Sequence, residues 1–156
     1  AVTADEVLMG RVVPGEHVVM IGGGLVGCET GLWLAKQGKK VTVVEAMDQI
    51  LAVNGPLCHA NKDMLKHLVP YHGIEIVTGA KVTEYKDGQL SWKVNGRQQE
   101  ITCDSVILAV GYKENSGLYQ ELKYDIPELY LLGDARQVSN IMYAIWDAFE
   151  VANSIE

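Results

Sequence analysis

An α/β fold with a central parallel sheet is predicted by three observations. The first is a set of short apolar runs, Val18-Val19-Met20-Ile21, Val41-Thr42-Val43-Val44, Gly73 to Thr78 and Ser105 to Gly111. Runs of this kind are typical of strands buried on both faces. The second is that helical patterns, Cys28 to Gln37 and about His59 to Val69, separate the first three runs. Strands alternating with helices build βαβ units. The third is a glycine turn, Gly22-Gly23-Gly24-Leu25-Val26-Gly27, between the first run and the first helix, with an acid, Glu45, ending the second run. Together they predict a doubly wound, three-layer domain whose sheet contains the strands near Val18, Val41, Ile74 and Val106.

Taken in order, Thr3-Ala4-Asp5-Glu6 is a capping box, with Thr3 able to cap a short helix and Glu6 able to reach back. That helix is expected to run to Met9 and stop at Gly10, and Pro14-Gly15 makes a turn before the first strand. The helix after the glycine turn is expected to send Leu25, Val26, Leu32, Trp33 and Ala35 toward the sheet, and to bury Cys28 as a small residue. A loop from Asp48 closes at Gly55-Pro56. The next helix carries Met64, Leu65 and Leu68 on one face and is expected to end at Pro70.

Asp87-Gly88 and Asn95-Gly96 are the strongest short-range hairpin signals, each favouring a type I′ turn. They divide Lys81–Lys86, Gln89–Val94 and Arg97–Cys103 into a three-stranded antiparallel meander, with Trp92 covering apolar surface. Beyond Gly111 the expected elements are a crossing loop over 113–117, a helical turn at Leu118–Leu122, an apolar strand at Leu129–Leu132 and a last helix. Asn140 caps that helix, and Ile141, Ile145, Phe149 and Ala152 share its apolar face.

The glycine turn carries the chemistry. Strand, G-x-G-x-x-G, helix, strand and terminal acid form the context in which this motif binds a dinucleotide, which makes the domain Rossmann-like. Gly22 allows the tight turn, Gly24 lets a pyrophosphate approach the backbone, and Gly27 lets the helix pack close to the sheet. The amides from Gly24 through Leu25 and Val26 open the helix N-terminus toward the phosphates. Glu45 lies 18 residues past Gly27 and is placed to accept from a ribose hydroxyl. Ala46, Met47 and Asp48 after it offer no cation for a 2′-phosphate, and Lys39 and Lys40 lie at the far end of the strand, so NADH is expected over NADPH.

Net charge is −7, which argues against a nucleic-acid or anionic-membrane partner. Apolar residues make up 48%, enough for a real core, yet no run reaches the ~18 residues of a membrane-spanning helix. No secretory leader is visible at Ala1–Arg11, and three scattered cysteines, Cys28, Cys58 and Cys103, form no C-x-x-C. A reducing cytoplasm is the expected compartment. Cys58-His59 has no second ligand pair, so no metal site is expected.

With these motifs in view, the chain resembles the nicotinamide-binding domain of two-dinucleotide flavoproteins. Gly22 to Thr30 is similar to their glycine turn, Ile107-Leu108-Ala109-Val110-Gly111-Tyr112 to their second strand-end motif, and Tyr130-Leu131-Leu132-Gly133-Asp134 to their late flavin-side motif. Ala4–Leu8 and Asn140–Ile145 extend the likeness to the C-terminal region of old-yellow-enzyme-type NADH:flavin oxidoreductases, such as 2,4-dienoyl-CoA and 2-enoate reductases. The resemblance implies that Glu29 lies near the nicotinamide, that Ala109 and Gly111 line the cofactor, and that Gly133 and Asp134 bind FAD. It also implies an FMN barrel, an iron–sulfur cluster and an earlier FAD turn in the parent enzyme, none of which these residues supply.

The expectation is therefore a piece of a larger enzyme. Residues 1–112 would form the NAD(P)H-binding domain, and 113–156 the returning tail of the FAD-binding domain. The tail, cut free, would repack or pair two copies into a homodimer. Two other readings stand beside this one: a dinucleotide-binding module without turnover, and the FAD-binding domain of a flavoprotein monooxygenase.

Overall fold

The computed structural model describes residues 1–52 and 59–155. The Gly55-Pro56 turn and Cys58 lie outside the described residues. Two compact units are present, 1–111 and 112–156.

In the first unit the chain runs β1 (Val2–Thr3), α1 (Ala4–Leu8), β2 (His17–Ile21), α2 (Leu25–Lys36), β3 (Lys40–Val44), α3 (His59–Tyr71), β4 (Glu75–Val77), β5 (Ala80–Lys86), β6 (Gln89–Val94), β7 (Arg97–Thr102) and β8 (Ser105–Leu108). The parallel sheet has the order β1-β8-β2-β3-β4, so all four anticipated strands share one sheet. Val18 pairs with Val41 on one side and with Ser105 on the other, and Val43 pairs with Ile76.

Alternation along these strands splits the core in two. Val18, Met20, Val41, Val43 and Ile107 face α1, α2 and α3 through Ala4, Val7, Cys28, Leu34, Leu65 and Val69. Val19, Val44 and Val106 face the meander through Ala80, Leu90, Trp92 and Cys103. The three layers are thus helices, parallel sheet and antiparallel meander. The second face, which a doubly wound domain would cover with helices, is closed by β5–β7. Both hairpin turns have left-handed backbone at their two central residues, with φ +50° and +79° at Asp87-Gly88 and +50° and +77° at Asn95-Gly96, the type I′ signature. Trp92 is buried and its indole N–H donates to Gln99 Oε1 at 3.1 Å.

Local details depart from expectation for identifiable reasons. Thr3 caps α1 through the capping box, and it also ends β1, a two-residue edge strand against β8. A pair of residues is too short to leave a period in the sequence. On α2 Cys28 and Leu34 are the buried apolar side chains, Leu25, Val26, Leu32 and Ala35 pack partly buried against the core as expected, and Trp33 alone of the expected set is 45% exposed. Gly27, Thr30, Gly31 and Leu34 recur at three- and four-residue spacing on the face against the sheet, and Trp33 lies off that stripe. On α3 the stripe is Leu65 and Val69, and Met64 is exposed. That helix continues through Pro70 to Tyr71.

The second unit contains α4 (Gly117–Leu122), a 3-10 turn at Gly133–Ala135 and α5 (Ile141–Ser154). Asn140 caps α5, its Oδ1 accepting from the Tyr143 N–H at 3.1 Å. The strand expected at Leu129–Leu132 is not formed. Leu132 has extended backbone, φ −143° and ψ 166°, but among the described residues no strand pairs with this segment. A strand exists only through its ladder, so an apolar run without a partner stays irregular. No residue of α4 or α5 is buried, and Ile141, Ile145, Trp146 and Phe149 are exposed along α5.

Candidate dinucleotide site

At the carboxyl end of β2 the chain must leave the sheet and enter α2 at once. Gly22 does this with φ +105°, its N–H still donating to Val44 O at 2.9 Å. A Cβ here would lie 2.4 Å from Ala109 O, and one on Gly27 would lie 1.9 Å from Gly22 O. Real Cβ atoms do not approach oxygen that closely, so both positions require glycine. Ala109 completes the interlock, its N–H donating to Ile21 O at 2.8 Å. The turn stands between the carboxyl ends of β2 and β8, where the strand order reverses, with β3 and β4 following on one side of β2 and the later β8 lying on the other. Open α/β sheets bind ligands at such a switch point.

Gly24 differs from its neighbours. It is the N-cap of α2, with φ −72°, and a Cβ built on it would meet nothing within 4 Å. Its side of the turn is open. The amides of Gly24, Leu25 and Val26 have no acceptor among the described residues. The first turn of α2 therefore presents unpaired donors at the positive end of a 12-residue helix, a suitable environment for an anion.

Glu45 follows β3 and is half-buried. Its Oε2 accepts from the Gly23 N–H at 2.5 Å and its Oε1 from the Met47 N–H at 2.7 Å. The carboxylate is thus fixed beside the glycine turn, with each oxygen keeping lone-pair capacity for a hydroxyl donor. Gly23 is held at its other end as well. Its carbonyl accepts from the Leu51 N–H at 2.7 Å and from the Cys28 thiol at 3.3 Å.

Burial pushes the Cys28 thiol up to about 12, with the Glu45 and Glu29 carboxylates adding to the effect. It stays protonated and unreactive at neutral pH, although it sits near a helix N-terminus. Cys103 is also raised, chiefly by burial.

The remaining anticipated residues are less enclosed. Glu29 is exposed on α2, and Gly111 is exposed with φ +95° and open space where a Cβ would stand. Gly133 and Asp134 belong to the second unit. There the Gly133 N–H donates to Asp147 Oδ2 at 3.0 Å, Asp147 also pairs with Arg136, and Asp134 Oδ1 accepts from the Ser139 N–H at 3.1 Å. Three contributors escaped the sequence reading. Gly23 looked like a spacer inside the motif. Ile50-Leu51 carried a usable signal, since they open the apolar run Ile50-Leu51-Ala52-Val53 within a stretch read as a loop. Asp147 carried none, since its partners lie 11 and 14 residues away.

With the geometry described, comparison with known proteins decides the family. Residues 2–148 match the family described as pyridine nucleotide-disulphide oxidoreductase. The chain belongs to that family. Its relatives carry the likeness to enoate reductases. A cinnamate reductase of Clostridium sporogenes is 49% identical over 98% of this chain and 23% of its own length. An NADH oxidase of Thermoanaerobacter brockii is 37% identical over 96% of the chain and 23% of its length. A solved 2-naphthoyl-CoA reductase, in complex with 2-naphthoyl-CoA, superposes with a TM-score of 0.88 at 28% identity, over 99% of this chain and 24% of that one. The chain thus spans about a quarter of the length of each of these three proteins. Membership in this oxidoreductase family implies a pyridine nucleotide and a flavin in the working enzyme. No helix among the described residues is long and apolar enough to cross a membrane.

Proposed function

We propose that this chain is the NADH-binding part of a cytoplasmic, flavin-dependent reductase acting on an enoate-type substrate, with the flavins held by other parts of the parent protein. The observation that carries the reading is the juxtaposition at the end of β2. Three amides without an acceptor among the described residues and the open face of Gly24 stand beside a fixed carboxylate, Glu45. These groups fit a dinucleotide: the amides of Gly24, Leu25 and Val26 would hold the pyrophosphate, and Glu45 an adenosine ribose hydroxyl. Ala109 and Gly111 would border the nicotinamide half, with Glu29 at its edge. The bound nucleotide supplies a hydride, two electrons with one proton, to the flavin.

The residues of this chain bind, orient and select. A carboxylate on the ribose favours a free 2′-hydroxyl and repels a 2′-phosphate, which supports NADH as the ligand. Residues 113–156 would belong to the FAD-binding part of the parent enzyme, with Gly133 and Asp134 binding FAD. The names of the relatives support a parent enzyme that reduces an unsaturated acid or its thioester, and the resemblance adds an FMN barrel and an iron–sulfur cluster there.

Titration calorimetry with NADH and NADPH tests the reading. NADH is expected to bind more tightly by about 1–3 kcal/mol, the scale of a charged hydrogen bond made or lost. Equal affinities, or binding of neither, would refute it. Because Glu45 also fastens Gly23 and Met47, Glu45→Ala would disturb the turn as well as the ribose. Glu45→Gln is the better variant and is expected to narrow the preference.

A further inference from the structure

The glycine turn is strapped from outside by residues that no dinucleotide motif includes. Leu51 is completely buried, yet its backbone has φ +58°, a left-handed conformation that branched side chains rarely adopt. Strain of this kind persists only where the surroundings over-determine it. Here the side chain is locked in the core, and the backbone N–H is turned onto Gly23 O at 2.7 Å. Ile50, 7% exposed, covers the same residue, its Cγ2 2.8 Å from where a Cβ on Gly23 would stand. The Cys28 thiol donates to the same carbonyl from α2.

The consequence follows from peptide geometry. The peptide joining Gly23 to Gly24 is trans, so its C=O and N–H point to opposite sides. Holding Gly23 O inward, against Leu51 and Cys28, aims the Gly24 N–H outward to the side where a Cβ finds open space. Glu45 fixes the other end of Gly23. Both backbone groups of Gly23 are therefore consumed by the protein, and Gly24 supplies the first amide available to a ligand.

We infer that Ile50-Leu51 is the positioning element of the dinucleotide site: the strained Leu51 amide holds Gly23 O inward and so presents the Gly24 N–H to the pyrophosphate. This inference rests on the dinucleotide reading of the turn. It assigns to the loop after β3 an orienting role and makes Leu51 a positioning residue without direct ligand contact.

The test compares NADH affinity in wild type, Leu51→Gly and Leu51→Met, at a temperature where circular dichroism shows each folded. Leu51→Gly removes the anchoring side chain and the reason for the strain, and is expected to weaken NADH by about threefold to tenfold, the loss of one oriented hydrogen bond. Leu51→Met, of similar volume, restores binding. In [15N]glycine-labelled wild type, the Gly24 amide signal should move on adding NADH. Should Leu51→Gly fail to fold, Cys28→Ala and Cys28→Ser address the same oxygen: Ala weakens binding and Ser returns the donor and the affinity. A folded Leu51→Gly that binds NADH as tightly as wild type overturns the inference while leaving the dinucleotide reading intact, and so does a Cys28→Ala that binds as wild type where Leu51→Gly does not fold. Wild type that binds no NADH overturns the dinucleotide reading and the inference together.

Discussion

Two glycine turns in this chain are built alike and supported differently. At Gly22–Gly27 the turn is wedged between β2, β8 and α2, its groups are tied to Glu45, Leu51 and Cys28, and most of these contacts are buried. At Gly133-Asp134 the turn is tied to Asp147 and Ser139 of its own unit, and the helix that follows buries none of its residues. The first turn is part of a core. The second is a local motif whose apolar neighbours, Ile141, Ile145 and Phe149, remain exposed. Turn chemistry can thus be complete over a few residues, while packing depends on the elements brought alongside.

The sharpest separation of the two should come from alanine at a glycine of each. Gly27→Ala places a Cβ 1.9 Å from Gly22 O, against backbone that cannot retreat, and is expected to cost upwards of about 3 kcal/mol in chemical denaturation. At Gly133 the nearest atom, Ala144 Cβ, is an ordinary 3.5 Å away, leaving only the left-handed backbone, φ +59°, as a penalty. About 1–2 kcal/mol is expected there. Equal losses at the two sites would erase the distinction between a buried and a local turn.

The exposed face of α5 offers a second comparison. If two copies pair through this face, replacing Ile145 and Phe149 together by glutamate should abolish the pairing in sedimentation velocity and leave stability within about 0.5 kcal/mol, since neither residue is buried. A large loss of stability would show that the face is covered in solution. If 133–134 are the late flavin-side motif that they resemble, the purified chain is expected to be colourless; stoichiometric FAD absorbance would reassign the first turn to the flavin.

The same contrast governs what the sequence made legible. The parallel strands, the glycine turn, both hairpins and the caps at Thr3 and Asn140 depend on residues close in sequence, and each leaves a local signature. The edge strand β1, the choice of Leu34 over Trp33 as the buried residue, and the clamp from Leu51 depend on what a distant segment brings alongside. The apolar run Leu129–Leu132 is the informative failure. Its composition is that of a strand, but a strand is a relation between two segments, and among the described residues its partner is missing. In the site, Gly22, Gly24, Gly27 and Glu45 were legible because a motif fixes their spacing. The bond from the Gly23 N–H to Glu45 was not, because those two residues meet only after β2 and β3 have paired.

A smaller effect should appear in the pH dependence. Burial raises the Cys28 thiol from 9.0 to about 12, so between those values the folded state keeps a proton that the unfolded chain has lost. The neutral thiol's contribution is complete below pH 9 and declines as pH rises toward 12. Urea midpoints followed from pH 8 to 10.5 should fall less steeply for Cys28→Ala than for wild type. Parallel curves would show that the thiol titrates as in the unfolded chain.

The first glycine turn is read as a ligand site as well as a packing device, and Gly24→Ala separates the two roles. Its backbone is unstrained, and the added methyl meets nothing within 4 Å, so the thermal midpoint should match wild type. That methyl stands on the open side, where the pyrophosphate is to approach. Calorimetric titration should therefore show NADH affinity falling by about tenfold or more, consistent with an overpacking cost of 1–3 kcal/mol. A Gly24→Ala protein as stable as wild type that binds NADH with undiminished affinity would contradict the claim.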